Sequence, residues 1–520
     1  MYSLKCDSDR DYHRKKFLGD RKFGHIIVAS NRGPVEHRIS EGGTLSAVQG
    51  GGGVSIALSA LSQMVDHTWI ACAMGDGDRY AAERAGDDYV VTNINGHKYL
   101  MRYVLMSDNI YKNYYSVFCN PFLWFFQHNL LPLYEPDLGN KIWNAWEHGY
   151  IPANEAFAET IVAAAHWDPA PVIMLHDYHL YLTPSFIRQQ LQNAVIHHFT
   201  HIPWPEHHRW TQLPKGMCKG ILQSLCCCDI VGLQTQRDVR NFLLTCDKHL
   251  EEAVVDYRES TVHLNGHDTR VNAYPISVDV SSLSELARSE EVKRYIQKLY
   301  PLPERQTIVR VDRVDPSKNI PAGFQAFDML LSRYPHLVGR VNFLAFLVPS
   351  RTDIREYQHY KKYVFTWVTY INKKYGKAQW KPIKVFYEND YHQAIAGMCH
   401  YDVLLVNPLA DGMNLVAKEG PVVNNRDGVL ILSERSGSYE QLKEGALSID
   451  PEDLEKTMQA LYSALTMPVD ERRERARLLR HRICDEDITQ WFSKQLKDLY
   501  EIVDGSPLSD TRAGVAAVSR

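Results

Sequence analysis

Short runs of consecutive apolar and β-branched residues, separated by longer stretches of helical periodicity, constrain this chain more than any other feature. A first series comprises His25–Ser30, Thr68–Met74, Val172–Leu175, Val195–His201 and Ile230–Gln234. A second comprises Thr307–Val311, Val341–Val348, Ile383–Tyr387, Val403–Val406 and Val429–Ser433. Strands that stay apolar along their whole length are covered on both faces, and alternation with helices makes their sheets parallel. The fold class is therefore α/β, with doubly wound parallel sheets. The series breaks near Pro275–Pro303, where a charged helical stretch, Leu283–Leu299, runs into Tyr300-Pro301-Leu302-Pro303. We expect an N-terminal domain over residues 25–285 and a C-terminal domain over 286–487, preceded by a charged extension over 1–24. An amphipathic last helix over 488–503 and a small, polar, disordered tail over 504–520 complete the organisation. With 520 residues, each half has enough chain for its own core. Such sheets bind ligands beyond the carboxyl ends of their strands, so the expected site is a cleft where the two domains face each other.

A formal net charge of −4 leaves no global basic field for nucleic acid or an anionic membrane. Phosphate must then be held by a few placed Arg and Lys side chains. The ten cysteines include the adjacent Cys226, Cys227 and Cys228 but no C-x-x-C pair. Adjacent thiols do not easily converge on one tetrahedral metal, so they read as reduced and mostly buried. Residues 1–24 are charged without an apolar signal core, and no run approaches eighteen apolar residues. The expectation is a soluble, cytoplasmic protein.

Three segments carry chemistry. Gly50-Gly51-Gly52-Gly53 opens an apolar helical stretch, Val54–Leu61, and would let backbone amides approach a diphosphate at a helix N-terminus. It reads equally as a flexible loop feeding a helix. Arg313-Val314-Asp315-Pro316-Ser317-Lys318 follows the strand Thr307–Val311, and two cations at a strand's carboxyl end suit the charge on a leaving nucleoside diphosphate. The structural alternative is a solvated turn. Most informative is Asn407-Pro408-Leu409-Ala410-Asp411-Gly412-Met413-Asn414-Leu415-Val416-Ala417-Lys418-Glu419, between the strand Val403–Val406 and a helix. Loop amides and the helix dipole there can hold a diphosphate, with Asp411 and Glu419 beside it as hydroxyl-binding carboxylates.

Together with these, Ser30-Asn31-Arg32, Asn120–Trp124, His176-Asp177-Tyr178-His179-Leu180, His201-Ile202-Pro203-Trp204-Pro205 and Pro349-Ser350-Arg351 resemble the trehalose-6-phosphate synthase family, in its order. The resemblance covers roughly residues 25 to 500. It implies two Rossmann-like domains in a glycosyltransferase-B fold and a retaining hexosyl transfer without metal or other cofactor. The substrates it implies are a nucleotide-sugar donor and a phosphorylated sugar acceptor, foremost glucose 6-phosphate. By the same resemblance Arg313 and Lys318 contact the donor diphosphate, Glu419 the ribose and Asp411 the sugar hydroxyls. Backbone amides of Asn414, Leu415 and Val416 complete the phosphate site, with Gly52 and Gly53 opposite. Asp177 and His201 line the sugar pocket, while Arg32, Tyr115, Trp124 and Arg351 grip the acceptor. Arg313, Lys318, Asp411 and His201 form the expected catalytic set. No carboxylate nucleophile is implied beneath the anomeric carbon, which favours a front-face displacement over a double one. Self-association into a homo-oligomer is compatible with this reading.

The chain departs from the family in places. UDP-glucose synthases commonly carry tryptophan where Trp69-Ile70-Ala71-Cys72-Ala73 places Cys72, and glycine where this chain has Asn319. These features, and Glu419–Asp427, are similar to the GDP-dependent actinobacterial synthases and to the pseudo-glycosyltransferase that makes validoxylamine 7′-phosphate. Alternatives are therefore coupling of a GDP-cyclitol to an aminocyclitol phosphate, transfer to glycerol 3-phosphate, and a non-catalytic sugar-phosphate sensor. His176 and His179 read as structural, Trp204 as packing, and Asp76-Gly77-Asp78 as a turn rather than a metal site. His197-His198 and His207-His208 have only Glu206 as an acidic companion, so no metal site is expected there.

Overall fold

The computed structural model describes residues 26–40, 43–49, 65–86, 88–94, 97–131, 139–165, 168–300, 305–377 and 379–505. The glycine loop with Gly52 and Gly53, the extension over 1–24 and most of the expected tail lie outside the described residues. In chain order, β1 (Ile26–Ser30) is followed by the hairpin β2 (Val35–Ile39) and β3 (Leu45–Gln49), then β4 (His67–Cys72), β5 (Val90–Ile94) and β6 (His97–Val104). After a helical region come β7 (Val172–His176), β8 (Val195–Phe199), β9 (Ile230–Leu233), β10 (Val254–Asp256), β11 (Thr261–Leu264) and β12 (His267–Ala273). The second half supplies β13 (Gln306–Arg313), β14 (Val341–Val348), β15 (Ile383–Phe386), β16 (Val403–Val406), β17 (Val429–Ser433) and β18 (Leu447–Ile449).

The first sheet has the order β10-β11-β12-β9-β8-β7-β1-β4-β6-β5, and the second β15-β14-β13-β16-β17-β18. From β12 to β6 the first sheet is parallel, with antiparallel β5 on one edge and β11 and β10 on the other. The second is parallel throughout. Every residue of β1, β7, β8, β9, β16 and β17 is buried, as their mostly apolar sequences lead one to expect, and β8 carries the buried His197 and His198 as well. β1 lies between β7 and β4, and β13 between β14 and β16, so each sheet reverses its strand order beside the strand that leads into Arg32 or ends at Arg313. Those two reversals are where open α/β sheets bind ligands.

The stretch expected as one charged helix is two, Val280–Ala287 and Glu290–Leu299, because Asp279 and Ser289 each cap a new start through the amides of Ser282 and Val292. Leu283 and Val292 pack with second-lobe residues such as Leu404 and Leu430. The last helix, Ile488–Val503, crosses back and buries Trp491, Phe492, Leu496 and Leu499 against Ile26, Val28 and Met174 of the first lobe. Asp76-Gly77-Asp78, expected as a turn, is the first turn of the helix Asp76–Ala85. Buried Asp78 accepts from the amides of His37 (2.8 Å) and Met74 (3.2 Å) and from the Tyr103 hydroxyl (3.2 Å), which occupies it structurally. Among the described residues, every cysteine is unpaired and no helix is long and apolar enough to cross a membrane.

Candidate active site

The second-lobe half of the cleft begins where β13 ends. Arg313 keeps 45% of its side chain exposed, with its guanidinium 4.0 Å from Asp315 and 5.4 Å from the Trp124 ring centre. Asp315 folds the next turn by accepting from the Ser317 amide at 3.1 Å. That turn brings the Lys318 ammonium onto the Asp411 carboxylate, which also accepts from the side-chain Nδ2 of Asn414 at 3.0 Å. Burial alone would raise the Asp411 carboxyl, but the charge and hydrogen bond of Lys318 bring it below its ordinary value. Asp411 is therefore ionised at neutral pH, as one half of an ion pair.

The Asp411 loop follows β16 and feeds the helix Val416–Val423. Asn414 turns the chain with φ of 68°, in the left-handed region that Asn tolerates. The amides of Leu415 and Val416 then stand at the helix start, where N–H groups lack intrahelical partners. Three residues into the helix, Glu419 accepts from the Tyr391 hydroxyl at 3.0 Å. Burial raises the Glu419 carboxyl and this bond opposes the rise. Gly412 is required by close approach, since a Cβ there would overlap the His201 carbonyl oxygen of the first lobe.

Across the cleft, Asp177 leaves the end of β7 with φ of 76° and accepts from the His201 amide at 3.2 Å. Burial raises its carboxyl to about 7, against the pull of backbone hydrogen bonds and of Arg351 and Arg313. The His201 ring lies 3.3 Å from His176, between their Nε2 and Nδ1 atoms. Burial lowers His201 to about 3, so at neutral pH its ring is uncharged. It can donate or accept a hydrogen bond but brings no positive charge.

At the other end, Arg351 reaches across from the second lobe. Its guanidinium lies 4.3 Å from the centre of the buried Trp124 ring and donates to Asp315 Oδ2 at 3.0 Å, to the Tyr357 hydroxyl and to the Tyr178 hydroxyl at 3.4 Å. Trp124 itself donates to Asp315 Oδ1 at 3.4 Å. Tyr115 stacks between Tyr111 and His179, with ring centres 5.3 and 5.9 Å away. Burial lowers His179 to about 3, and the charges of Arg351 and Arg32 push in the same direction. Arg32 of the first lobe and Arg351 of the second therefore act on one imidazole.

The structure thus gathers Arg313, Lys318, Asp411, Asn414, Leu415, Val416 and Glu419 along one wall. Asp177, His201, Tyr115 and Arg32 stand opposite, with Trp124 and Arg351 between the lobes. Sequence reasoning singled out neither Asp315, the shared acceptor for Arg351, Trp124 and Tyr357, nor Tyr178, Tyr357 and Tyr391. Asp315 and Tyr178 lay inside quoted motifs, but nothing in their spacing reveals a partner on the other lobe. Trp204 packs, stacked 4.6 Å from Trp210 with its indole N–H on Thr245. Among the described residues no three His, Cys, Asp or Glu side chains gather as a metal site would require.

The model of glycosyltransferase family 20 matches residues 24–501. The chain is 30% identical over 497 residues to the UDP-forming α,α-trehalose-phosphate synthase of Candida albicans, spanning 94% of this chain and 99% of that one. It is also 30% identical over 482 residues to synthase A of Dictyostelium discoideum, covering 92% of this chain and 62% of that longer protein. Among solved structures, the Escherichia coli trehalose-6-phosphate protein bound with UDP-2-fluoro glucose superposes with a TM-score of 0.78 at 27% identity, over 92% of this chain and 99% of that one. The Burkholderia xenovorans synthase in complex with glucose 6-phosphate gives 0.79 at 26%, over 92% and 100%. The two facing lobes are those of the glycosyltransferase-B fold.

Proposed function

The chain belongs to glycosyltransferase family 20, and from that premise we propose that it transfers glucose from a nucleoside-diphosphate glucose to glucose 6-phosphate, giving trehalose 6-phosphate. The observation that carries the proposal is the cation arrangement. Arg313 and the Lys318–Asp411 pair line the donor wall, Arg351 lies on the Trp124 ring beside Arg313, and the charges of Arg351 and Arg32 both act on His179. Cations gathered around one ring suit two phosphorylated substrates brought side by side.

Arg313, Lys318 and the amides of Asn414, Leu415 and Val416 would hold the donor diphosphate and stabilise the charge that grows on it as the glycosidic bond breaks. Glu419 would take the ribose hydroxyls, held in place by Tyr391. Asp411, ionised by Lys318, would accept from the sugar hydroxyls, and Asp177 with neutral His201 would close the sugar pocket. Trp124, Tyr115, Arg32 and Arg351 would seat the acceptor phosphate. Retention then follows a front-face course, with a donor phosphate oxygen taking the acceptor's proton, so the protein supplies position and charge rather than a covalent intermediate. We take UDP-glucose as the first donor, since the relatives above are named UDP-forming.

One observation favours a second reading. Cys72 is buried at the end of β4, with a thiol that burial pushes up to about 12 and so keeps neutral. It stands where UDP-glucose synthases commonly carry tryptophan, a departure that a GDP-cyclitol and an aminocyclitol phosphate as substrates would fit. Asn319 does not separate the readings, because its φ of 53° keeps the backbone a glycine would adopt. A matrix of UDP-, GDP- and ADP-glucose against several phosphorylated acceptors tests the assignment. Turnover with none of them would leave the sensor reading.

A further inference from the structure

The connector between the lobes is gripped from both sides at one residue. Ile276 follows β12 and precedes the helix Val280–Ala287, so it lies on the connector by which the chain leaves the first lobe. Its N–H donates to Oε1 of Gln234, a buried side chain just past β9, at 3.0 Å. Its carbonyl accepts from the ammonium of Lys418 at 2.7 Å. Lys418 is only 1% exposed and sits in the helix Val416–Val423, one residue before Glu419. Gln234 also reaches the His201 carbonyl at 3.5 Å, the same oxygen against which Gly412 packs. A lysine is rarely buried without a partner that repays its desolvation. Here its hydrogen-bond partner is a backbone carbonyl of the connector, and the charge of Glu486 also favours its ammonium.

We propose that Gln234 and Lys418 clamp the Ile276 peptide between them and thereby position the donor-wall helix relative to His201 during transfer. Both are positioning residues, and the proposal rests on the glucosyl-transfer reading above. The helix that carries Glu419 and begins with the amides of Leu415 and Val416 is registered to the first lobe through Ile276. Small rotations of one lobe on the other would otherwise move donor against acceptor by the ångström or so that costs about a hundredfold in rate.

The test compares Lys418→Met, Gln234→Leu and the double variant with wild type in turnover of UDP-glucose with glucose 6-phosphate, and in calorimetric binding of UDP. Each single variant should lower kcat by about tenfold or more while the UDP dissociation constant stays within about twofold, and the double variant should lose little beyond the worse single. A kcat within about twofold of wild type, an equal loss of UDP affinity, or losses that multiply in the double variant would overturn the clamp. Should either variant fail to fold, hydrogen exchange on wild-type protein decides. Addition of UDP with glucose 6-phosphate should slow exchange at Ile276 and its neighbours, and an unchanged rate refutes the proposal. Wild-type turnover is measured first. Its absence would refute the transfer reading, and the exchange result would still judge the clamp.

Discussion

Arg351 Nη1 lies 3.0 Å from Asp315 Oδ2, which places a second-lobe cation under the first-lobe ring of Trp124 with its counter-charge already in place. Arg351 pairs with Asp315 and not with its sequence neighbours Asp353 and Glu356. Asp315 is completely buried and Arg351 keeps 10% of its side chain exposed, and the charges of Arg351 and Arg313 hold the Asp315 carboxyl below the usual range against the effect of burial. Asp315 thus fixes Arg351 in position before any acceptor arrives.

The first prediction follows from that geometry. Free glucose should be a poor acceptor beside glucose 6-phosphate, and Arg351→Ala should narrow the gap. A charge-assisted contact of this kind is worth roughly 1.5–3 kcal/mol, or about ten- to a hundredfold in the ratio of kcat/KM values. An unchanged ratio in the variant would show that Arg351 does not meet the acceptor phosphate.

Arg313→Ala and Lys318→Ala should each lower kcat/KM for the donor by roughly 2–4 kcal/mol in transition-state stabilisation. Lys318→Ala carries an added effect, because Asp411 would lose the cation that keeps it ionised against burial. Its loss should therefore shrink when activity is assayed at higher pH, whereas the Arg313→Ala loss should not. Wild-type kcat/KM in either variant contradicts the donor-wall assignment.

Much of the architecture was readable from the chain because its central strands are mostly apolar on both faces, the pattern of a doubly covered parallel sheet. The edges were not. β5 (Val90–Ile94), β10 (Val254–Asp256) and β11 (Thr261–Leu264) are short and mix polar with apolar residues, and their pairing is antiparallel. Motif residues could be located because they follow strand ends. Their partners could not, since Asp315 with Trp124, Lys418 with Ile276 and Gly412 with His201 are contacts between lobes more than a hundred residues apart in sequence. Such pairs leave no periodic trace.

Metal dependence offers a third check. Arg313 and Lys318 can supply the charge that a divalent ion would bring to the diphosphate, and Asp78, the carboxylate of the D-x-D, is bound by backbone amides and Tyr103. Activity should persist in excess chelator. Loss on chelation with recovery on adding magnesium or manganese would contradict this.

Acid should destabilise the fold steeply. Burial lowers His128 to about 4 and His179, His197, His198 and His201 to about 3, and it lowers His176 as well. Each is neutral when folded and takes a proton near pH 6.5 when unfolded. Their contribution is complete above about pH 6.5 and is lost as pH falls toward 3 to 4, by about 1.4 kcal/mol per pH unit for each imidazole. Asp177, raised by burial to about 7, runs the opposite way and offsets one of them. The urea midpoint should fall markedly between pH 7.5 and pH 5.5, and a flat profile would show that these rings are not buried as neutral groups.

The central claim is that this cleft joins a nucleotide-linked glucose to glucose 6-phosphate. The direct measurement incubates purified protein with UDP-glucose or GDP-glucose and glucose 6-phosphate, and follows nucleoside diphosphate and sugar product together. Our account predicts that one diphosphate is released for each trehalose 6-phosphate formed with at least one of these donors, with little release when glucose 6-phosphate is omitted. Release of no diphosphate with either donor, or product formed only from a cyclitol donor and an aminocyclitol phosphate, would contradict it.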